Sequence, residues 1–253
     1  MTAPTPAFVP VRLGTIEYGM AWEMQKALAV ARRASAIPDV LLLLEHPHTY
    51  TIGRSGGDDH LLLSEEALAR LGARVFHVDR GGDITYHGPG QLVGYPILHL
   101  REDGLDVHAY LRNLEEVLIR ALADLGLAAG RQPPHTGVWA GNDKIAAIGV
   151  KVSTAITSHG FALNVTTDLS YFDFIVPCGI QGKGATSVAK VLAREVDMEA
   201  VVERVVAHFG LCFGLEAKPL LDARREPLNA LGPGRLITLL ARPPRAPMGH
   251  RPG

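Results

Sequence analysis

A chain of 253 residues with 47% apolar and 20% charged residues can build a sizeable core, and this excludes disorder over most of its length. The net charge of −1 gives no overall electrostatic footprint for nucleic acid. Two cysteines, Cys178 and Cys212, exclude a disulfide framework; the first residues lack the basic and apolar regions of a signal peptide; and apolar runs such as Val40–Leu44 are too short to span a bilayer. The expectation is a cytoplasmic protein with both thiols reduced.

The first amphipathic stretch runs from about Glu17 to Arg33. Tyr18, Ala21, Trp22, Gln25, Leu28, Ala29 and Arg32 fall on one helical face. Val40–Leu44 reads as a buried strand, and Thr51–Asp59 as a polar loop. A short helix is predicted from Ser64 to Leu71, with Ser64 as N-cap and Gly72 as its stop. Arg74–Val78 is a strand feeding a glycine-rich loop, and Leu92–Leu98 is a strand leaving it. Pro96 predicts an edge or a bulge there. The clearest helix spans Val107 to Leu125, with Gly126 as its stop. Gly137–Trp139 and Lys144–Val152 read as a hairpin around Gly141–Asp143, followed by a strand over His159–Val165. A last helix runs from Met198 to His208 with Asp197 as N-cap. The segment from Ala241 to Gly253 is rich in Pro and Arg and reads as a mobile tail. Helices and strands mix without strict βαβ alternation, which favours an α+β fold, a mixed β-sheet with flanking helices.

Chemistry concentrates in two segments. Arg80–Gln91 holds four glycines and one proline in twelve residues, interleaved with Arg80, Thr85, Tyr86, His87 and Gln91. Such a loop lets a ligand approach the backbone and offers it a cation, hydroxyls and an imidazole. Val176–Ile180 carries Cys178 between Pro177 and Gly179, in a glycine-flanked loop open to attack. Cys212 lies among apolar residues and reads as structural. A nucleophilic thiol needs a nearby cation or base. The residues alone leave Lys144, Lys151, Lys183, His87 and His159 as candidates. Without CxxC or HxxxH, and with only His46-Pro-His48 as a histidine pair, the chain gives no metal pattern. Read this way, the chain is a thiol enzyme with a small apolar substrate.

These segments resemble the lipoyl (octanoyl) transferase family. The resemblance rests on Arg80–Pro96, Gly137–Trp139, Lys144–Gly149, Ser158–Asn164 and Pro177–Ile180, in that order, and runs from about Arg12 to Leu215. It implies the fold of the biotin protein ligase and lipoate ligase catalytic domains, over residues 1–215. Residues 216–253 would be a C-terminal extension. It also implies octanoyl transfer from the phosphopantetheine thioester of acyl carrier protein to a lysine of a lipoyl domain. The acceptors would be 2-oxoacid dehydrogenase E2 subunits and the glycine cleavage H protein. Neither ATP nor metal would be needed, and neither nucleic acid nor membrane would be a partner. The carry-over places the nucleophile at Cys178 and its activating lysine at Lys144. The acyl site would be lined by Arg80, Gly81, Gly82, Asp83, Ile84, Thr85, Tyr86 and His87, with Ala147, Ile148, Gly149, Gly160, Phe161 and Ala162. Arg54, Arg80, Lys151 and Lys183 are candidates for a basic surface facing the acidic carrier protein. Two other readings remain: an ATP-dependent lipoate or biotin ligase, and an acyl-binding or carrier-binding module in which Cys178 is inert.

Overall fold

The computed structural model describes residues 5–100, 106–176, 184–224 and 232–241. β1 (Ala7–Thr15) leads into α1 (Tyr18–Arg33), then β2 (Asp39–Glu45) and β3 (Thr49–Ile52). A 3-10 turn at Asp58–His60 and α2 (Glu65–Arg70) precede β4 (Arg74–His77), β5 (Ile84–His87) and β6 (Gln91–Ile97). α3 (Val107–Ala123) is followed by β7 (Gly130–Gln132), β8 (His135–Ala140), β9 (Asp143–Ser153) and β10 (Ile156–Asn164). After a 3-10 turn at Leu169–Phe174 come α4 (Val188–Leu192), α5 (Met198–Phe213), β11 (Glu216–Ala217), β12 (Leu221–Asp222) and α6 (Pro233–Leu240).

The main sheet runs in the order β11-β1-β2-β6-β10-β9-β8-β7, with β12 also on β1. β1 is parallel to β2, β11 and β12, and the pairs from β2 to β7 are antiparallel. β4-β3-β5 form a second, small sheet. The mixed sheet with flanking helices is the expected α+β arrangement. β2 is a continuous apolar run because both of its faces are covered. Leu41 and Leu43 pack with α3 and α5 on one side. Val40, Leu42 and Leu44 pack with α1 and α6 on the other.

Several boundaries follow the sequence signals. Ser64 accepts from the Ala67 N–H, and Asp197 accepts from the Glu199 N–H, as N-caps do. Other readings change. On α1 the buried stripe takes in Met24 and Ala31, while Trp22 and Ala29 are only half-buried. α5 continues to Phe213, five residues past His208. β5 lies inside the segment read as loop. β6 is an interior strand, so Pro96 does not mark an edge. What Pro96 marks is a gap in one ladder. β6 and β10 pair regularly up to Gly94↔Phe161, and contact resumes at His99↔Ile156. Between them Pro96 has no N–H to give, and His159 turns to φ +56°. The His159 N–H instead donates to Gln25 Oε1 on α1 at 2.6 Å.

Beyond Leu215, β11 and β12 extend the main sheet along β1. α6 places Leu236 and Leu240 in the α1 core. Residues 242–253, most of the predicted tail, lie outside the described residues. No helix among the described residues is long and apolar enough to cross a membrane.

Candidate active site

A cavity of about 310 Å³ opens between the small sheet and the β8-β9-β10 part of the main sheet. Its floor is made by two cross-strand pairs of small residues, Ala147↔Ala162 and Gly149↔Gly160. Ile148 and Phe161 also border it, although their side chains pack with the α3 and α5 core. From the glycine-rich segment, Arg80, Gly82, Asp83, Ile84, Thr85 and His87 line the roof. Two predicted members stand apart. Gly81 gives its N–H to Val150 O at 2.9 Å. The Tyr86 side chain belongs to the separate core of the small sheet, stacked on Tyr171 with ring centroids 5.0 Å apart.

Lys144 stands at the cavity mouth, at the start of β9. Its N–H donates to Gly184 O at 2.9 Å, and its carbonyl accepts from the Thr186 N–H at 3.0 Å. Its Nζ lies 4.9 Å from the centre of the Trp139 ring, a cation–π distance. Cys178 and Lys183 fall in residues 177–183, outside the described residues. The described chain stops at Val176, whose N–H donates to His60 O, and resumes at Gly184, which borders the cavity.

Buried polar side chains tie the glycine-rich segment to the Lys144 strand. Arg80 Nη2 donates to Thr51 O at 2.7 Å and to Thr51 Oγ1 at 2.8 Å. Asn164 Nδ2 donates to Thr186 O at 3.0 Å, and Gln91 Nε2 donates to Asn164 Oδ1 at 2.9 Å. Gln91 Oε1 is therefore an acceptor, and the 2.8 Å bond to His87 requires the proton on His87 Nδ1. His87 Nε2 is left to accept from the Thr51 hydroxyl at 3.3 Å. Both ring nitrogens of His87 are thus engaged within this chain of bonds, which ends on the carbonyl side of Thr186, beside Lys144.

Lys151 and His159 face another partner. Both bond Asp79, Lys151 through Nζ and His159 through Nε2 at 2.8 Å. Burial raises the Asp79 carboxyl, but the Lys151 and His159 bonds outweigh it and hold it at about 2. Asp79 has no periodic or motif signal, and its partners lie more than seventy residues away. Its place beside Arg80 is the one sequence hint. Of the four candidates for a basic surface, Arg54 is exposed, Arg80 is buried, Lys151 pairs with Asp79, and Lys183 lies outside the described residues.

Two buried histidines make stability pH-dependent. Burial lowers His46 to about 4, only partly opposed by the bond to Ile16 O. His87 is also held well below its ordinary value by burial, with His46 nearby adding to this. Between pH 6.5 and 4 the unfolded chain binds more protons at these sites than the folded one, so stability falls as pH falls. His46 alone should cost about 2 kcal/mol between pH 7 and pH 5, taking one pKa unit as 1.36 kcal/mol. Asp79 stays ionised across that window, because its contribution is lost only as pH falls from its ordinary range towards 2. Urea unfolding at pH 7 and pH 5 checks this, and equal stabilities would refute it.

The sheet order, the small-residue floor and the lysine at the mouth place a narrow slot on an α+β scaffold. Residues 17–210 match the model of the lipoyl protein ligase A/B catalytic domain. The solved structures with this fold include a lipoate-protein ligase A bound with ATP, with TM-score 0.67 at 18% identity over 93% of this chain and 95% of that one. They also include a bipartite lipoate protein ligase from Thermoplasma acidophilum, with TM-score 0.67 at 16% identity over 92% of each chain. The chain belongs to the lipoyl protein ligase A/B family, and within it to the octanoyltransferases; it is an acyltransferase. An octanoyltransferase of Solibacter usitatus is 53% identical over 208 residues, 82% of this chain and 94% of that protein. One from Rubrobacter xylanophilus is 56% identical over 198 residues, 78% of this chain and 89% of that protein.

Proposed function

We propose that this acyltransferase moves an octanoyl group from the phosphopantetheine thioester of acyl carrier protein to a lysine amine of a lipoyl domain, through a thioester on Cys178. The observation that carries the reading is the placing of Lys144 at the mouth of a slot floored by Ala147, Gly149, Gly160 and Ala162. Val176, which precedes the cysteine segment, donates its N–H to His60 O, and Gly184, which follows it, borders that slot. A floor without side-chain bulk suits an unbranched apolar chain, and each methylene buried there is worth about 0.8 kcal/mol.

The chemistry divides into two steps. Cys178 as thiolate attacks the incoming thioester carbonyl, and the phosphopantetheine sulfur leaves as the thiol, taking up a proton. The octanoyl group then sits on Cys178 as a new thioester. The lysine amine of the lipoyl domain attacks that carbonyl, loses a proton to the site and expels the Cys178 thiolate. Lys144 favours the thiolate by its charge in the first step and relays the proton in both. Converting a thioester to an amide runs downhill, so the reading requires neither ATP nor a metal. The acceptors are the lipoyl domains of 2-oxoacid dehydrogenase E2 subunits and the glycine cleavage H protein, and the reaction takes place in the cytoplasm.

Intact-protein mass spectrometry after incubation with octanoyl-acyl carrier protein tests this directly. Wild type should carry a hydroxylamine-labile octanoyl adduct, and Cys178→Ser should carry none and transfer nothing. Transfer by Cys178→Ser at the wild-type rate would exclude the thioester. An absence of transfer by wild type, with adenylate formed from free octanoate and ATP, would make the chain a ligase.

A further inference from the structure

The cavity has an open end and a closed end. Pro134, Thr136 and Gly184, at the Lys144 end, are exposed. At the other end Tyr18 is 1% exposed and Tyr95 3%. β9 lies between, and at about 3.4 Å per residue the five steps from Lys144 to Gly149 span about 17 Å. The far wall therefore includes two aromatic rings, one from the first turn of α1 and one from β6, with His159 beside them.

Those two rings are fixed by contacts that lead away from the slot. His46 Nδ1 lies 2.7 Å from Ile16 O, a carbonyl, so Nδ1 carries the proton. The imidazole is neutral, so Nε2 accepts, and the Tyr95 hydroxyl donates to it at 2.8 Å. The chain Tyr95 to His46 to Ile16 O therefore runs in one direction and holds the Tyr95 ring. The Tyr18 ring is wedged between His46 and Phe76, with centroids at 5.0 and 5.1 Å. Tyr95 cannot swing aside without breaking a buried bond, and Tyr18 cannot without displacing the two rings that flank it.

We propose that Tyr18 and Tyr95 are the stop that sets the length of the acyl chain, with His46 as the positioning residue that locks them. This rests on the acyl-transfer reading above. A chain too long for the slot meets immobile rings, and one too short leaves apolar wall uncovered. One methylene in an apolar pocket discriminates by about 10- to 200-fold.

The test is competition among hexanoyl-, octanoyl-, decanoyl- and dodecanoyl-acyl carrier protein in equal amounts, read as the mass distribution of the acylated lipoyl domain. Wild type should select octanoyl. Tyr18→Leu shortens the wall, and should raise the decanoyl and dodecanoyl share relative to octanoyl by about tenfold or more. Tyr95→Leu shortens the same wall from β6, should shift the product in the same direction, and carries the test should Tyr18→Leu not fold. An octanoyl preference unchanged in either variant, with its circular dichroism and melting profile intact, overturns the stop while leaving the transferase reading in place. An absence of transfer by wild type from every carrier overturns both.

Discussion

Lys144→Met should slow octanoyl transfer by about 100- to 10,000-fold, the usual worth of a placed acid–base group. The expectation follows from the charge and the proton that the change removes at the cavity mouth. Both backbone groups of Lys144 are held by the 184–186 segment, at 2.9 and 3.0 Å, independently of its side chain. Met has nearly the same reach and stays compatible with the Trp139 ring. The change removes the charge and the proton relay, and with them the cation–π contact to Trp139. Lys144→Arg should not restore the rate, because a guanidinium keeps its proton and cannot relay it. Two measurements separate the roles. The pH dependence of iodoacetamide alkylation at Cys178 reports on the thiolate, and should move to higher pH in Lys144→Met. Single-turnover transfer from preformed acyl-enzyme to a lipoyl domain reports on the relay. A variant within a few-fold of wild type in both would remove Lys144 from the chemistry.

The local part of this site was readable from the sequence, and the long-range part was not. Apolar spacing located α3 and β2, because both bury continuous stripes against neighbours on the sheet. It found Tyr18, Ala21, Gln25, Leu28 and Arg32 of the α1 stripe but missed its edge, since Trp22 is apolar yet borders solvent, while Met24 and Ala31 are buried. β1 went unread because Pro10 and Arg12 interrupt its pattern. Arg12 is nonetheless buried, in ion pairs with Glu45 and Glu199 that only tertiary packing supplies. α6 was hidden by the Pro and Arg content around it, and its burial depends on α1. Within the site, glycine content pointed to Arg80–Gln91 but concealed β5, whose four residues pair with β3. Tyr86 looked like a ligand contact because it sits among such contacts, yet strand alternation turns it into the small-sheet core. The bonds from Gln91 to Asn164 and from Asp79 to His159 join residues 73 and 80 positions apart, beyond any local pattern. Glu115 was the one exception with a local signal. It is a lone acid on the apolar stripe of α3, and it proves to be a buried partner of Arg131 and of the Gly137 N–H.

Gly160→Ala should cost about 1–3 kcal/mol, the usual range for overpacking, and at its upper end because backbone stands in the way. A methyl group at position 160 would stand 2.1 Å from Gly94 O and 2.7 Å from Pro96 Cδ. Both atoms belong to β6, and β6 is pinned on its far side by Leu43↔Gly94 and Leu41↔Pro96. Moving β6 would disturb the β2 ladder, and moving β10 would disturb Gly149 across from Gly160. At about 2–4 °C per kcal/mol for a chain of this size, the midpoint should fall by roughly 5–10 °C. Gly130→Ala, where a Cβ meets nothing within 4 Å, is the matched control and should melt with wild type. Equal midpoints for the two variants would mean that β6 and β10 yield easily. The same close approach brings Tyr95 on β6 and His159 on β10 to the closed end of the slot, with ring centroids 6.4 Å apart. Gly160 therefore serves two ends at once: it keeps the floor free of side chains and lets the two strands come near enough to close the slot.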